Sequence, residues 1–358
     1  MILTRFAIIS IGVLLMSSRV QLKLDTPGEI RFDQYLRYQD IQDYLDRLNR
    51  IYKGFVVVEN FGLSVENRNL TSIKISYGEN PKKPLIFIDA GIHAREWIGP
   101  AQALYVIHRL VENPVESLLV RNVDWLIVPL VNPDGYEYSH TVDRLWRKNR
   151  TKGKICDGVD LNRNFDFQWL QIGASRSECS NNYAGTRPFS EPESSALSKL
   201  IAEKAERIKM YLSFHAAAQC ILYPWGYTTD LPDNGEELHE LGQNLTDAIY
   251  KVNSTQYKVG SSANILYTDS GTSRDWAYAV ANIKLAYTIE IKGFADSLFN
   301  RRRGGRFDIP PEDILSVVSE MFEGIKMLHS YVEPKHITSE NHYDVLMKKM
   351  RRIFFFTT

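Results

Sequence analysis

A short apolar run, residues 85–88, gives way to a small-residue turn, after which His93 and Glu96 stand three residues apart with Arg95 and Trp97 beside them. The run reads as a buried strand. An imidazole and a carboxylate at this spacing, where a strand passes into a loop, can supply two ligands to one zinc ion. Such a pair alone is more often a solvated surface pair, so the test is whether the chain carries a third ligand and a base. Two more apolar runs end in residues capable of chemistry, 208–215 in His215 and 285–290 in Glu290. A catalytic zinc takes three protein ligands and keeps one position for water. His93, Glu96 and His215 would form that set, and Glu290 beside the water would complete a metal-assisted hydrolase. Asp160, in Gly158-Val-Asp-Leu-Asn-Arg-Asn164, is a candidate hydrogen-bond partner for a ligand histidine.

These residues need a frame. Apolar residues at helical spacing predict a helix over 40–52. Residues 55–58 and 73–77 read as strands, the second alternating as an edge or half-buried strand does. A helix is expected over 101–111, then an apolar strand over 125–131 closed by the turn Asn132-Pro-Asp-Gly135. A long irregular stretch, rich in Arg, Asn, Gly and Ser, runs from Tyr136 to about Pro192, and loops of that length in a compact domain are usually functional. Helices are predicted over 191–207, 236–252 and 311–331, around the strands 208–215 and 285–290. Strands alternating with helices, without repeats or a composition break, predict one α/β domain over 35–333. Ligands bind such sheets at the carboxyl ends of strands, which is where His93, His215 and Glu290 fall.

The 358 residues are 44% hydrophobic, enough to bury a large core. Lys+Arg and Asp+Glu both number 43, a balance that leaves no footprint for nucleic acid or an acidic membrane surface. Residues 1–18 carry one basic residue, an apolar run and then small residues, the layout of a secretory signal peptide rather than of a buried strand, since polar residues follow at once. No later segment is long and apolar enough to span a membrane. A secreted, extracellular protein is therefore expected, with a short leader over 19–34 and a basic, aromatic tail over 334–358 outside the fold. Three cysteines fit secretion as one pair and one left over: Cys156 and Cys179 flank a polar region and form the expected disulfide, while Cys220 lies in an apolar run as a buried thiol. Asn69, Asn149, Asn244 and Asn253 begin possible glycosylation triplets.

His93-Ala-Arg-Glu-Trp97, Asn132-Pro-Asp-Gly-Tyr136, Arg144-Leu-Trp-Arg-Lys-Asn-Arg150, Gly158-Val-Asp-Leu-Asn-Arg-Asn164, Tyr223-Pro-Trp-Gly-Tyr227 and Asp275-Trp276 together resemble the motifs of secreted zinc carboxypeptidases of the carboxypeptidase A/B family, in that family's order and spacing. The resemblance implies a single domain with a mixed, mostly parallel twisted sheet flanked by helices on both faces, one zinc ion, and peptide or protein C-termini as substrates of a monomer. It implies His93, Glu96 and His215 as zinc ligands and Glu290 as general base. It further implies Arg147 as the group that polarises the scissile carbonyl and holds the oxyanion. Asn162 and Arg163 match the pair that grips the terminal carboxylate, Tyr267 the tyrosine that closes over it, and Arg95 a further subsite arginine. Cys156 and Cys179 match the family's disulfide.

Selectivity in that family is read largely from the residue before Asp-Trp, which here is Arg274. A buried guanidinium favours a substrate side chain of opposite charge, so acidic C-terminal residues are expected, similar to the carboxypeptidase O branch. The alternative is that Asp269, where the family has a small apolar residue, neutralises Arg274 and relaxes the preference toward uncharged residues. The chain departs from the family in three further ways. The first helix starts soon after the signal, so either the inhibitory prosegment is missing, as in the carboxypeptidase O branch, or the sequence is incomplete. Ala216-Ala-Ala218 replaces a polar and aromatic triplet, and a longer, basic segment from Ile291 to Arg303 follows the base, where Arg301 to Arg303 could favour acidic peptides. A zinc-loaded binding protein without turnover would be expected to lack Glu290 or Arg147, and both are present.

Overall fold

A computed structural model describes residues 30–78, 80–293 and 307–334. The signal, most of the leader, the tail and Arg301 to Arg303 lie outside the described residues. The strand that begins the site, β3 (Leu85–Ala90), is buried at every position, as a run with no polar alternation must be. It lies at the centre of an eight-stranded sheet with β1 (Val56–Leu63), β2 (Asn69–Ile75), β4 (Asp124–Val128), β5 (Ile208–Ala216), β6 (Cys220–Tyr223), β7 (Lys258–Ser261) and β8 (Ala286–Ile291), in the order β1-β2-β4-β3-β5-β8-β6-β7. The central run β4-β3-β5-β8 is parallel, β1, β2 and β6 join antiparallel, and β7 pairs parallel with β6. The sheet is therefore mixed, and its parallel part is the part that carries the site. The run expected as an edge or half-buried strand is β2, which is interior; the edges are β1 and β7, and β1 is exposed or half-buried at every position but its first. Residues 76–77 fall outside it.

Helices flank the sheet: α1 (Tyr38–Ile51), α2 (Ile98–Glu112), α3 (Pro133–Thr141), α4 (Pro192–Lys204), α5 (Gly235–Asn253), α6 (Ser262–Ile265), α7 (Ser273–Ala279) and α8 (Pro311–Val332). The apolar stripe of α1 (Ile41, Tyr44, Leu45, Leu48) is buried, as its spacing requires. One correction concerns Asn132-Pro-Asp-Gly135, expected as a turn. It starts α3 instead: Asn132 caps the helix by accepting from the Gly135 N–H at 2.9 Å, and Pro133 occupies the first turn, where its missing N–H costs nothing. The irregular stretch accordingly starts after Thr141, not at Tyr136. The strand expected over 125–131 ends at Val128, and α4 stops at Lys204 rather than Arg207. The short elements β7, α6 and α7 are too brief to leave a periodic signal.

Cys156 and Cys179 form the disulfide, and Cys220 is a buried free thiol. Of the glycosylation triplets, the one at Asn149 is excluded in the folded protein. Its side chain is buried and its Nδ2 donates to Glu191 Oε2 at 2.7 Å and Glu193 Oε2 at 3.1 Å. Asn69, Asn244 and Asn253 are exposed. No helix among the described residues is long and apolar enough to cross a membrane.

Candidate active site

The chain leaves β3 through Gly91, whose φ of +67° and close approach to Leu130 and Pro100 leave no room for a Cβ. His93 and Glu96 come next, in the loop before α2. Asn132 ties this loop down: its Nδ2 donates to the Ile92 carbonyl at 3.2 Å and the Lys148 carbonyl at 3.1 Å, and the Ala94 N–H donates to the Arg147 carbonyl at 3.0 Å. His215 comes from β5 and Glu290 from β8, directly opposite each other in the parallel register.

His93, Glu96 and His215 converge, with candidate ligand atoms all within 4.8 Å of one another. The outer nitrogens of both rings are occupied, His93 Nε2 against Asp160 Oδ1 at 3.2 Å and His215 Nε2 against Ser213 Oγ at 3.1 Å. Ser213 in turn donates to the buried Asp89 at 2.7 Å. With the protons on Nε2, the two Nδ1 lone pairs face each other at 3.1 Å, with Glu96 Oε1 2.9 Å from one and Oε2 3.1 Å from the other. Two lone pairs and a carboxylate aimed at one point repel unless a cation lies between them, and two imidazoles with one carboxylate are a donor set suited to zinc. The residues therefore fit the metal that the sequence implies. Asp160 is legible in the sequence, whereas Asp89 and Ser213 are not, because nothing in a buried strand marks one polar residue as facing the site.

Asp160 also receives Arg147, whose Nε and Nη2 donate to Oδ2 at 3.0 and 2.9 Å. Burial raises the Asp160 carboxyl, but Arg147 and His93 outweigh it and hold the carboxyl well below its ordinary range. Burial likewise opposes the Arg147 charge, and Asp160 and Glu96 more than restore it. Glu290 differs: burial and the neighbouring Glu96 push its carboxyl up to about 7, against the pull of His215 and Arg147. Cys220, opposite Glu290 on β6, has its thiol pushed up to about 11 by burial and by Glu290, so it stays protonated.

One cavity of about 170 Å³ is lined by His93, Arg95, Glu96, Arg147, Asn162, Arg163, His215, Tyr267, Arg274 and Glu290. The tight turn Leu161–Arg163 presents Asn162 and Arg163 to the same cavity. The Ser273 N–H donates to Asn162 Oδ1 at 2.9 Å, and Arg163 donates through Nη1 to the Asn162 carbonyl at 2.7 Å and through Nε to the Gly173 carbonyl at 3.2 Å. Tyr267 is 53% exposed at the rim. Arg95 donates to the Leu145 carbonyl at 3.4 Å and lies over the Phe307 ring at 4.6 Å.

Arg274 is buried and already partnered. Its Nε donates to Asp275 Oδ1 at 3.0 Å, and its Nη2 lies 3.6 Å from Asp269 Oδ1. Asp269 is visible in the sequence as a candidate partner, but Asp275 is not, because adjacent residues ordinarily point apart on a helix and here the long guanidinium folds back. Ala216, Ala217 and Ala218 line the cavity, as do Leu222, Leu266 and Phe307, which sequence reasoning also misses. These are apolar wall residues with no chemical signature of their own.

The model of the zinc carboxypeptidase family matches residues 41–324. The chain is 42% identical to carboxypeptidase B of Astacus astacus over 303 residues, 84% of this chain and 97% of that protein. It is 38% identical to carboxypeptidase O of Bos taurus, over 82% of this chain and 80% of that one. The crystal structure of carboxypeptidase A from Helicoverpa armigera superposes with a TM-score of 0.81 at 35% identity, covering 87% of this chain and 76% of that chain. With a family model spanning most of its length and a 42% identical relative matched over 97% of its own, the chain belongs to the zinc carboxypeptidase family and is a metallocarboxypeptidase.

Proposed function

We propose that the protein is a secreted carboxypeptidase that removes acidic residues from peptide C-termini, with His93, Glu96 and His215 holding one zinc ion. A zinc ion held there supplies Lewis acidity toward the scissile carbonyl and the attacking water. Glu290 takes the proton of that water and returns it to the leaving amine, a role that suits a carboxyl pushed up to about 7. Arg147, kept charged by Asp160, holds the developing oxyanion. Asn162 and Arg163 take the terminal carboxylate, so only a free C-terminus fills the site, Tyr267 closes over it, and Arg95 contacts the residues upstream. The observation that carries this reading is the convergence of these side chains on one cavity, with both histidine Nδ1 atoms turned inward.

Acidic selectivity rests on Arg274, a buried guanidinium on the cavity wall whose Nη2 makes no hydrogen bond. A second reading has a specific observation in its favour: Asp269 lies 3.6 Å away and could satisfy Arg274 internally, which favours uncharged polar ends. Secretion is supported by the Cys156–Cys179 disulfide, which needs an oxidising compartment. The residues assigned to the reaction all come from one chain, so a monomer can carry this reading. The test is hydrolysis of matched blocked dipeptides ending in Glu, Phe and Lys, with and without a zinc chelator. Chelator-sensitive cleavage that is fastest for Glu is expected. Faster cleavage of Phe or Lys ends would remove the acidic assignment, and no chelator-sensitive cleavage of any would remove the site assignment.

A further inference from the structure

Asp269 stands between two guanidinium groups and is committed to neither. Its Oδ2 lies 3.4 Å from Arg163 Nη2 and its Oδ1 3.6 Å from Arg274 Nη2. Both are ion-pair separations longer than a good charge-assisted hydrogen bond, which runs at about 2.7–2.9 Å. Asp269 Oδ1 and Arg274 Nη2 are buried and, among the described residues, each lacks a hydrogen bond, although they lie 3.6 Å apart. Arg163 and Arg274 differ in their other partners: among the described residues Arg163 otherwise donates to the Asn162 and Gly173 carbonyls, while Arg274 also has the Asp275 carboxylate. Among the described residues, this floor of the cavity therefore holds the cations Arg163 and Arg274 with the anions Asp269 and Asp275, and Asp269 is the anion shared between the cations.

The surroundings fit Asp269 closely. The Asp269 N–H donates to the Gly226 carbonyl at 2.8 Å, and Gly173 packs so closely on residues 268–269 that a Cβ there would overlap them. The next residue, Ser270, exchanges hydrogen bonds with the backbone of Ile172, giving 2.9 Å to its carbonyl and 3.2 Å from its N–H. A Cβ on Gly226 would overlap both Asp269 Oδ1 and Arg274 Nη2, so this position has room for the ion pair only as glycine. The backbone of Asp269 is pinned, and only its carboxylate can turn between the two arginines.

We infer that Asp269 is a built-in competitor for the substrate: its carboxylate occupies the space between the carboxylate clamp and the pocket arginine, and an incoming C-terminus must displace it from Arg163. This rests on the assignment of Arg163 and Arg274 to the terminal carboxylate and the side chain. A terminal carboxylate on Arg163 turns Asp269 toward Arg274, which weakens Arg274 for an acidic side chain. An acidic C-terminal residue needs both guanidiniums and so meets the competitor twice, whereas an uncharged residue meets it once. Asp269 thus sets how far acidic ends are preferred over neutral ones, and its tether gives it a high effective concentration that a free anion lacks.

The test uses the zinc-loaded full chain, with glutarate as a two-carboxylate probe and butyrate as a one-carboxylate probe, measured by calorimetry so that turnover is not needed. Asp269→Asn is expected to tighten glutarate binding by about tenfold and butyrate by less, and to raise the ratio of kcat/KM for Glu-ended over Phe-ended peptides by about tenfold. Asp269→Ser, which removes the charge with a smaller side chain, should act in the same direction. Arg274→Gln supplies an arm that keeps Asp269 in place. It should leave Asp269 wholly to Arg163 and raise the KM for Phe-ended peptides about threefold, and Asp269→Asn added to it should reverse that rise. Unchanged glutarate affinity in Asp269→Asn, or an unchanged KM in Arg274→Gln, overturns the inference. So does a wild type that prefers Lys ends and loses that preference with Asp269→Asn, since Asp269 would then read the substrate directly. Absence of cleavage of all three dipeptides by the wild type would instead strike at the site assignment, which the binding arm tests separately.

Discussion

The two ends of the cavity handle charge differently. At the histidine end Arg147 and Asp160 have short, committed partners: Arg147 donates twice to one oxygen of Asp160 at 3.0 and 2.9 Å, and Asp160 also accepts from the Asn162 N–H at 3.0 Å. What is left over there, two Nδ1 lone pairs and the Glu96 carboxylate, points at one place. At the floor the contacts of Asp269 are long and divided, and buried polar atoms of Asp269 and Arg274 lack hydrogen bonds. Committed hydrogen bonds fix a geometry before reaction, which suits a metal and an oxyanion that must not move. Divided ion pairs leave the final pairing to be completed by whatever binds, which suits selection among substrates.

Three substitutions would break or sharpen this contrast. Glu290→Gln, which keeps shape but cannot take a proton, should lower kcat about 10³-fold with little change in KM. The pH profile goes with it. As the proposed base, Glu290 works only when ionised, so kcat/KM should fall as pH drops through the pKa of this carboxyl. That carboxyl is pushed up to about 7 by burial and Glu96, and a bound cation moves it down. An acid limb lying clearly above pH 7 would exclude Glu290 as its source. Asp160→Asn at the committed end should cost about 10–100-fold in zinc affinity, read by chelator competition, because the His93 tautomer and Arg147 both lose their anchor. An unchanged affinity would mean that the histidine is oriented by the backbone alone. Arg274→Gln at the divided end should have the smallest effect, lowering the Glu-to-Phe ratio of kcat/KM by about tenfold or less, because Asp269 already draws on its charge.

How much of this is legible in the sequence depends on whether a feature is local. The strands that carry the site are readable because 85–88 is apolar without interruption and 208–215 is apolar apart from Lys209, Ser213 and His215, as a strand buried on both faces requires. The start of α3 is ambiguous because Asn-Pro-Asp-Gly is as good a turn as it is a helix cap, and the choice is made by the segments that Asn132 ties together in space. The Asn149 triplet reads as accessible, yet its amide is buried between Glu191 and Glu193.

The amino-acid sequence by itself determined the chemistry: two histidines and a glutamate of the right types and spacing, a carboxylate at a strand end, arginines suited to carboxylates, and a charged residue before Asp-Trp. Only the tertiary structure decided how those groups are used. Which imidazole nitrogens turn toward each other is set by Asp160 and Ser213, residues 67 and 2 positions away from the histidines they hold. Whether Arg274 is free or shared is set by Asp269 and Asp275, held in reach of it beneath Gly226. Residue types fix what charges exist, but the distance and burial that set the strength of their interaction are properties of the folded chain.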